Sequence, residues 1–358
     1  MGAEARSFMI KIREATRSDN EGLLSLTSMT PMSGEISIRS DRFPDFFRLL
    51  DRRGRSQVLV AEERGVIVGC VSTACVQAYV DGAKEPVWYL GDLKAHPDYQ
   101  KTGLAVRLLR AMHERLLSAD ADLVVCTAAY GNKKILPFFN GRAGLPKAAA
   151  LGIFNVHQIL PSACLRITDA CDIREELGLS DLYRLYADHF RRYQFGPVFQ
   201  PGMLQEARHW VARSGGGIQA CLSLVDMVDA RQNVLIRLPP FLRGLTAVWR
   251  CVHRVFPVTD LPGMNEPVRI LYIKALAYRE GQEKALDLLV QKARNVAFAQ
   301  RYHFLAIGVH ERDPMRHRIM KYPKFTFRSL GFVIGLKRGH DKVSRLTQGV
   351  PYEDYSLV

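Results

Sequence analysis

Apolar residues along the chain follow two periods, and their alternation predicts a mixed α/β fold. Strand-like runs at Leu123–Cys126 and Phe304–Val309 each follow a stretch with helical spacing. The apolar positions of the two predicted helices are Ala105, Leu108, Leu109, Met112 and Leu116 in the first, and Ala285, Leu289, Ala293 and Val296 in the second. We therefore expect central sheets flanked by amphipathic helices.

The order of these elements repeats about 180 residues further along the chain. The segment Glu85–Ala95 recurs as Glu266–Ala275, and in each copy a helix and a strand follow. The repeat predicts two tandem α/β domains, 1–162 and 163–358, each with a mixed central sheet. The first copy is one residue longer beside Gly91, which predicts a β-bulge there and none in the second copy.

The second copy carries an insertion near 238–257 that reads as a basic amphipathic helix. Arg243, Arg250 and Arg254 lie on one side, and apolar residues lie on the other. Such a helix can bind a membrane or a partner, but it more often packs on its own domain. We expect no stable membrane association, and the helix could cover a cleft of the first domain.

Composition narrows the classes of protein to which the chain can belong. It has 358 residues, of which 47% are hydrophobic, without an apolar run long enough to span a bilayer. The start has no secretory signal, so we expect a cytoplasmic protein. The seven cysteines are scattered, and we expect neither disulfides nor a metal. A monomer or a homodimer fits this composition.

The net charge of +14 indicates either an anionic partner or a solvated basic surface. Because the basic residues are spread along the chain, with no basic tail, we do not expect nucleic acid as a partner. A nucleic-acid-binding protein remains an alternative supported by charge alone. Steep salt-dependent retention on DNA would distinguish it.

The segment Leu93–Ala105 is the strongest candidate for a binding site. It reads as a strand end, a turn at Pro97, and a Gln-x-x-Gly-x-Ala loop that opens the first helix. Free backbone N–H groups at a helix N-terminus attract anions, and Gly103 lets the backbone approach a ligand closely. The loop predicts a pyrophosphate ligand.

This segment resembles the pyrophosphate-binding motif of the GNAT superfamily of acyl-CoA N-acyltransferases. The motif reads Leu-x-Val-x-Pro-x-x-(Arg/Gln)-x-x-Gly-x-(Gly/Ala), and only Ala95 departs from it, replacing the valine. The resemblance implies acetyl-CoA as the acyl donor, with the bulged strand opening a gap for its pantetheine arm. The residues implied to bind the donor are Leu93, Lys94, Ala95, Gln100, Lys101, Thr102, Gly103, Leu104, Ala105, Asn132 and Phe139.

The second copy lacks the loop spacing and places Glu280 and Glu283 where phosphates would lie. Like charges would repel there. We therefore expect a degenerate second domain that contributes to acceptor recognition or stability.

The resemblance leaves the proton-handling groups open. Relatives often use a tyrosine where Phe139 stands, and Phe139 cannot donate a proton. The catalytic candidates are Asp92, Tyr89 and Tyr130, and a chain of bound waters is an alternative. Glu35 and Arg39, in the segment before the second strand, are the candidates for acceptor binding.

We expect an N-acetyltransferase that acts on a primary amine of a small molecule or a peptide, with the chemistry in the first domain. The alternative is a non-catalytic acyl-CoA sensor, which Phe139 favours. A sensor would bind the donor without turnover.

Overall fold

The computed structural model describes residues 10–31, 37–132, 135–163, 171–200, 202–240, 244, 249 and 258–358. Alternating apolar runs form the strands of the first half, and the amphipathic stretches between them form its helices. The elements of the first half are β1 (Lys11–Glu14), α1 (Asn20–Met29), β2 (Ser37–Asp41), α2 (Arg48–Arg53), β3 (Arg55–Glu63), β4 (Val66–Val80), β5 (Ala83–Ala95), α3 (Leu104–Ser118), β6 (Leu123–Ala129) and β7 (Ala149–Ile159). Short 3-10 helices cover Arg17–Asp19, Pro97–Tyr99 and Leu136–Phe139.

The elements of the second half follow a similar but longer order. They are β8 (Asp172–Glu175), α4 (Ser180–Phe190), β9 (Gly196–Pro197), β10 (Arg208–Ser214), β11 (Gly217–Asp226), β12 (Gln232–Arg237), β13 (Pro267–Val268), β14 (Ile270–Tyr278), α5 (Glu283–Ala299), β15 (Phe304–His310), α6 (Arg316–Met320), β16 (Lys324–Gly335) and α7 (Val343–Leu346). A further 3-10 helix covers Lys337–Lys342.

Both halves contribute to one continuous sheet. The described residues form 13 strands in the order β1-β3-β4-β5-β6-β16-β7-β15-β14-β11-β10-β8, with β9 paired to β4. The order is pseudo-symmetric: each half supplies five strands of its own and receives the last strand of the other half. The parallel pairs found in the described chain, β5–β6 and β14–β15, occupy equivalent places. This confirms the predicted mixed α/β fold flanked by helices.

The exchange of β7 and β16 joins the two halves. These strands pair with each other antiparallel from Lys324↔Ile159 to Val333↔Ala149. They also pair outward, β16 with β6 and β7 with β15. The limits 1–162 and 163–358 remain a prediction, because each half of the sheet contains a strand from beyond the limit. Most of the insertion near 238–257 lies outside the described residues.

The predicted helical stripes face the sheet. In α3, Leu104, Leu108 and Met112 are almost fully buried and pack on β3, β4 and β5 residues. In α5, Ala285, Leu289 and Ala293 are likewise buried against the second half of the sheet. Both helices therefore lie on the sheet with their N-termini beside the ends of β5 and β14. This arrangement fixes the position of the loop that precedes α3.

A small second sheet also links the halves. Strand β2 of the first half pairs antiparallel with β12 of the second, which pairs with β13. Strand β2 lies between α1 and α2 in the chain. The small sheet therefore connects the face of the molecule that carries these two helices to the second half.

The buried imidazole of His310 joins β15 to β7 and makes stability depend on pH. Its Nε2 lies 3.1 Å from the carbonyl oxygen of Leu151, and its Nδ1 accepts a hydrogen bond of 3.3 Å from the backbone N–H of Arg312. These partners require the neutral ring. Burial lowers the pKa of His310 to about 4.

We expect the free energy of unfolding to fall as the pH drops from 6.5 to 4. An unfolded histidine has a pKa near 6.5, so the unfolded state binds more protons in this window. His310 alone accounts for about 3 kcal/mol at the acid end. In urea unfolding across this range, the free energy of unfolding should depend less steeply on pH for His310→Gln than for the wild type. Parallel curves for the two proteins would contradict the role assigned to His310.

Candidate active site

Strand β5 carries the β-bulge that its extra residue predicts. Cys70 pairs with Lys94 and Ser72 pairs with Gly91, so Asp92 and Leu93 both stand opposite a single residue of β4. The backbone of Asp92 is left-handed, with φ of 50°. Such a bulge bends the strand and leaves backbone groups unpaired. The bend begins at Gly91, as predicted.

Beyond the bulge, β5 separates from β6. In the described chain, the two strands pair in parallel at Trp88↔Val124 and Tyr89↔Val125 and not further along. Just past the paired residues, the Tyr89 hydroxyl and Thr127 Oγ1 lie 3.0 Å apart, and Leu90 packs near Cys126 and Ala128 of β6. The backbone from Leu90 to Ala95 therefore borders a V-shaped cleft between β5 and β6, which we call the β5–β6 cleft.

The loop before α3 presents backbone N–H groups at the mouth of this cleft. Gly103 is the N-cap, with φ of 78°, and none of the described side chains caps the terminus. The first recorded helical bond runs from the Arg107 N–H to the Gly103 carbonyl, so the N–H groups at the start of the helix have no helical acceptor. An added Cβ at Gly103 would meet nothing within 4 Å, so the terminus is open.

Within the loop, the residues differ in what they can offer to a ligand. The Thr102 N–H and hydroxyl both donate to the Tyr99 carbonyl, at 3.2 and 2.8 Å. Gln100 and Lys101 are exposed, Leu104 is buried in the core, and Ala105 is half-buried. A ligand would therefore meet the amides of Gly103 and of the first helical residues more readily than that of Thr102.

The opposite wall of the β5–β6 cleft is apolar. Phe139 stacks on Phe332 with ring centroids 4.1 Å apart, next to Leu90 of β5. Asn132 is exposed at the turn after β6, where its N–H donates to the Ala129 carbonyl. Beside this wall lies a narrow cavity of about 40 Å³. Its lining is Leu90, Leu109, Met112, His113, Leu116, Val124, Phe138, Phe139, Leu145, Pro146, Ile334 and Leu336.

Asp92 is held in a buried ion pair on the face of the sheet that carries α1 and α2. Its carboxylate lies 2.6 Å from Arg42 Nη2 and accepts a bond of 2.7 Å from the Ser72 hydroxyl. Burial raises the pKa of Asp92, but Arg42, Lys94 and Ser72 outweigh it, so the pKa lies below its usual range. Asp92 is therefore held ionised and is a weak proton acceptor.

Glu353, which the sequence did not single out, lies on the same face. Its Oε1 is 3.1 Å from Arg53 Nη2, and that guanidinium covers the ring of Tyr89 at 3.5 Å. Burial raises the pKa of Glu353 above its usual range, although Arg53 opposes the shift. Its charge also acts on Tyr89 of β5 and on Cys126 of β6. Glu353 is thus a carboxylate with raised basicity near both walls of the β5–β6 cleft.

The second half also has a bulge, which corrects the expectation that it has none. Ser223 pairs with Ala275 and Leu224 pairs with Ile273, so Lys274 is the extra residue. The ammonium of Lys274 is buried and lies 3.2 Å from Asp354 Oδ2. A bulge is defined against the neighbouring strand, so the length difference between the two copies did not reveal this one.

The end of the chain packs along this second bulge. The Tyr352 hydroxyl donates to the Lys274 carbonyl at 2.9 Å, and Leu357 joins Tyr272 and Ala306 in an apolar cluster. The ring of Tyr355 lies so close to Gly308 that a Cβ there would be 2.0 Å from it. Side chains of this chain therefore occupy the region that corresponds to the β5–β6 cleft.

Three other predicted residues lie apart from the cleft or outside the description. Tyr130 is exposed after β6, with the guanidinium of Arg328 4.2 Å from its ring centre. Arg39 on β2 forms a two-nitrogen ion pair with Asp41 of the same strand, at 2.7 and 2.8 Å. Glu35 lies outside the described residues. Binding roles for Glu35 and Arg39 remain predictions.

The sequence model of the acetyltransferase (GNAT) family matches residues 24–144, which include the bulged strand, the loop and α3. Residues 24–144 therefore form a GNAT-family domain. This match confirms the resemblance to the GNAT acyl-CoA N-acyltransferases that was drawn from Leu93–Ala105. A search of curated proteins gave no sequence match.

The GNAT fold of this chain is similar to that of Saccharomyces cerevisiae N-myristoyltransferase. A crystal structure of that enzyme with bound myristoyl-CoA gives a TM-score of 0.62 at 13% identity, covering 94% of this chain and 80% of that one. A second such structure, with myristoyl-CoA and inhibitors, gives 0.60 at 12% identity, covering 98% and 88%. At these identities the likeness shows the fold alone.

The described residues hold neither a candidate membrane span nor a candidate metal site. No helix among them is both long and apolar enough to cross a bilayer. They also contain no group of three or more histidine, cysteine, aspartate or glutamate side chains placed to hold a metal ion.

Proposed function

We propose that this GNAT protein transfers an acyl group from an acyl-CoA to an amine, with the donor bound in the β5–β6 cleft. The observation that carries the proposal is the joint presence of the bulge at Asp92, the separation of β5 from β6, and the open helix terminus at Gly103. The amides at the start of α3 would hold the pyrophosphate. The backbone edge of Leu93, Lys94 and Ala95 that faces away from β4 would bind the pantetheine arm and the thioester carbonyl, since unpaired strand groups offer hydrogen bonds.

In the proposed reaction, the acceptor ammonium first loses a proton. The amine lone pair then attacks the thioester carbon, so that a C–N bond forms and the C–S bond breaks with its electron pair on sulfur. The thiolate takes up a proton and leaves as CoA, and one proton goes to solvent overall. The chain must therefore supply orientation, stabilisation of the carbonyl oxygen and a proton acceptor.

We propose Glu353 as the proton acceptor in place of Asp92. A general base works best when its pKa lies near the operating pH, and burial raises the pKa of Glu353 while Arg42 keeps that of Asp92 low. Asp92 would instead fix Arg42 beside the bulge. Tyr89 would hold the closed end of the cleft through Thr127, and Tyr130 remains a candidate proton donor.

The length of the transferred acyl group is a separate part of this proposal. We propose acetyl-CoA as the donor because the matching family is an acetyltransferase family. The apolar cavity beside Phe139 adjoins the cleft, and the structural relatives hold myristoyl-CoA. Rates with acyl-CoAs of two to fourteen carbons would decide chain length, and a maximum at long chains would contradict the acetyl assignment.

The test of the proposal combines CoA binding with turnover. We expect isothermal titration to give one CoA per chain, and thiol release from acetyl-CoA to depend on an added amine. One observation favours a second candidate, a non-catalytic acyl-CoA sensor: Phe139 stacks on Phe332 and has no hydroxyl to offer. CoA binding without amine-dependent thiol release across a broad amine panel would support the sensor. The absence of CoA binding would overturn both.

A further inference from the structure

Two arginines from different halves of the chain meet at the end of the small sheet. In the β2–β12 pair, Gln232 stands opposite Asp41, so Arg231 and Arg42 are the next opposed residues. Gln232 fixes this end, because its side chain donates to the Phe43 carbonyl at 2.7 Å and accepts from the Phe43 N–H at 3.1 Å. The two guanidinium groups are therefore held as neighbours by backbone register.

Both arginines are buried with hydrogen-bonding capacity left over. Each residue is only 8% exposed. Arg42 Nη1 and Arg231 Nε are buried and have no hydrogen-bond partner among the described residues. Buried guanidinium nitrogens in folded proteins almost always have a partner, whether protein, water or ligand. These two nitrogens therefore lack hydrogen-bond acceptors of the kind that ligand oxygens supply.

The charges around the pair point to an anionic ligand. Arg42 is paired with Asp92, and Arg53 is paired with Glu353. Arg231 has no ion pair with a described carboxylate: it donates to the Tyr355 carbonyl at 3.1 Å and lies 5.1 Å from the ring centre of Tyr272. A buried cation without a counter-ion is costly, and a bound anion removes that cost.

The pair is also close to the groups proposed for catalysis. The second terminal nitrogen of Arg42 bonds Asp92 at the bulge of β5. Arg231 and Arg53 are both near enough to act on the charge of Arg42, whose pKa is lowered first by burial and then by these two cations. An anion bound by Arg42 and Arg231 would therefore sit a short distance from the proposed thioester position, on the face of the sheet where Glu353 lies.

We infer that the acceptor amine carries a carboxylate, which Arg231 and Arg42 bind while its amine faces the thioester. This inference rests on the proposed acyl transfer and names the substrate class of that same site. A carboxylate has two oxygens and four lone-pair positions, which suits two convergent guanidinium groups better than a neutral amide does. The acceptor class is thus that of amino acids or of peptides that present a carboxylate near the reacting amine.

The experiment compares ω-amino acids of two to six carbons with their carboxamides as acceptors of the acetyl group. We expect the wild-type kcat/KM to favour at least one acid over its amide by about tenfold or more. In Arg231→Gln, this ratio should fall to near one, while the rate with the amide and the affinity for CoA stay within about twofold. Arg237→Gln changes an exposed arginine at the end of β12, the strand that follows Arg231, and should keep the wild-type ratio.

Three results would overturn the inference: a wild-type ratio near one for every pair, an equal loss for acid and amide in Arg231→Gln, or the same change in Arg237→Gln. If no acceptor turns over, titration of the same acids and amides into the CoA-saturated protein gives the ratio as binding affinities. In that titration, equal affinities for acid and amide, or no binding of either, contradict the inference that the acceptor carries a carboxylate. Failure of the proposed function is distinct, because it appears as the absence of CoA binding or of amine-dependent thiol release.

Discussion

The Gly103→Glu variant is expected to bind CoA about 100-fold more weakly than the wild type. A glutamate at this position places a carboxylate at the helix terminus where the pyrophosphate is proposed to lie. Two like charges about 5 Å apart repel by about 3 kcal/mol at the effective dielectric of a protein surface, which corresponds to about two decades in Kd. Isothermal titration with CoA measures the loss directly.

The second half supplies a matched control in Gly281→Glu. Gly281 lies two residues before α5 and Gly103 lies directly before α3. Their φ angles are 77° and 78°, and in both places an added Cβ meets nothing within 4 Å. Both substitutions force a glutamate into the left-handed region, at a similar cost of about 1 kcal/mol in stability. We expect Gly281→Glu to unfold at a temperature similar to that of Gly103→Glu and to keep wild-type CoA affinity. Equal affinity in the two variants would refute a pyrophosphate site at Gly103.

The loop and its surroundings could be predicted because their signals are local. Helical spacing from Ala105 to Leu116 located α3, and Gly103 marked the loop that opens it. These two inferences use residues fewer than about 15 positions apart. The bulge beside Gly91 was located by comparing the segment Glu85–Ala95 with its copy about 180 residues further along, because inserting one residue into a paired strand has few other outcomes.

Features that depend on distant pairing were not predicted. Periodicity identifies β7 and β16 as strands but does not say that each joins the other half of the sheet. The bulge at Lys274 was missed for a related reason, since it exists only relative to β11. Glu353 has no local pattern at all: a carboxylate near the end of a chain reads as exposed until the fold buries it beside Arg53.

The dependence on distant contacts also explains why the sequence singled out Asp92 and did not single out Glu353. Asp92 was chosen as the only carboxylate in the bulged segment, and the bulge does place it beside the cleft. Its partner Arg42 comes from a segment 50 residues earlier, and that arginine determines its pKa. Sequence position thus identified a residue of the site, but its proton affinity depends on a contact that the sequence did not reveal.

Replacing Glu353 should have the largest effect on turnover. We expect Glu353→Gln to lower kcat by about 100-fold or more, since a positioned general base contributes two to four decades, and to leave CoA affinity close to that of the wild type. Glu353 accepts a proton only when ionised, and its pKa is raised, so wild-type kcat/KM should fall as the pH drops through that pKa. The variant should lack this acid limb, and Glu353→Asp should restore it together with part of the rate.

Asp354→Asn is the control for a purely structural effect. Asp354 is the next residue, and its ion pair with Lys274 is as short as that of Glu353 with Arg53, at 3.2 against 3.1 Å. Breaking either buried pair costs stability, about 3 kcal/mol or more. We expect Asp354→Asn to lose a similar amount of stability in urea unfolding and to keep both kcat and an acid limb, the limb moving to lower pH because the charge of Asp354 helps to raise the pKa of Glu353. Equal losses of kcat in the two variants, or an unchanged acid limb in Glu353→Gln, would show that Glu353 supports the fold and does not accept the proton.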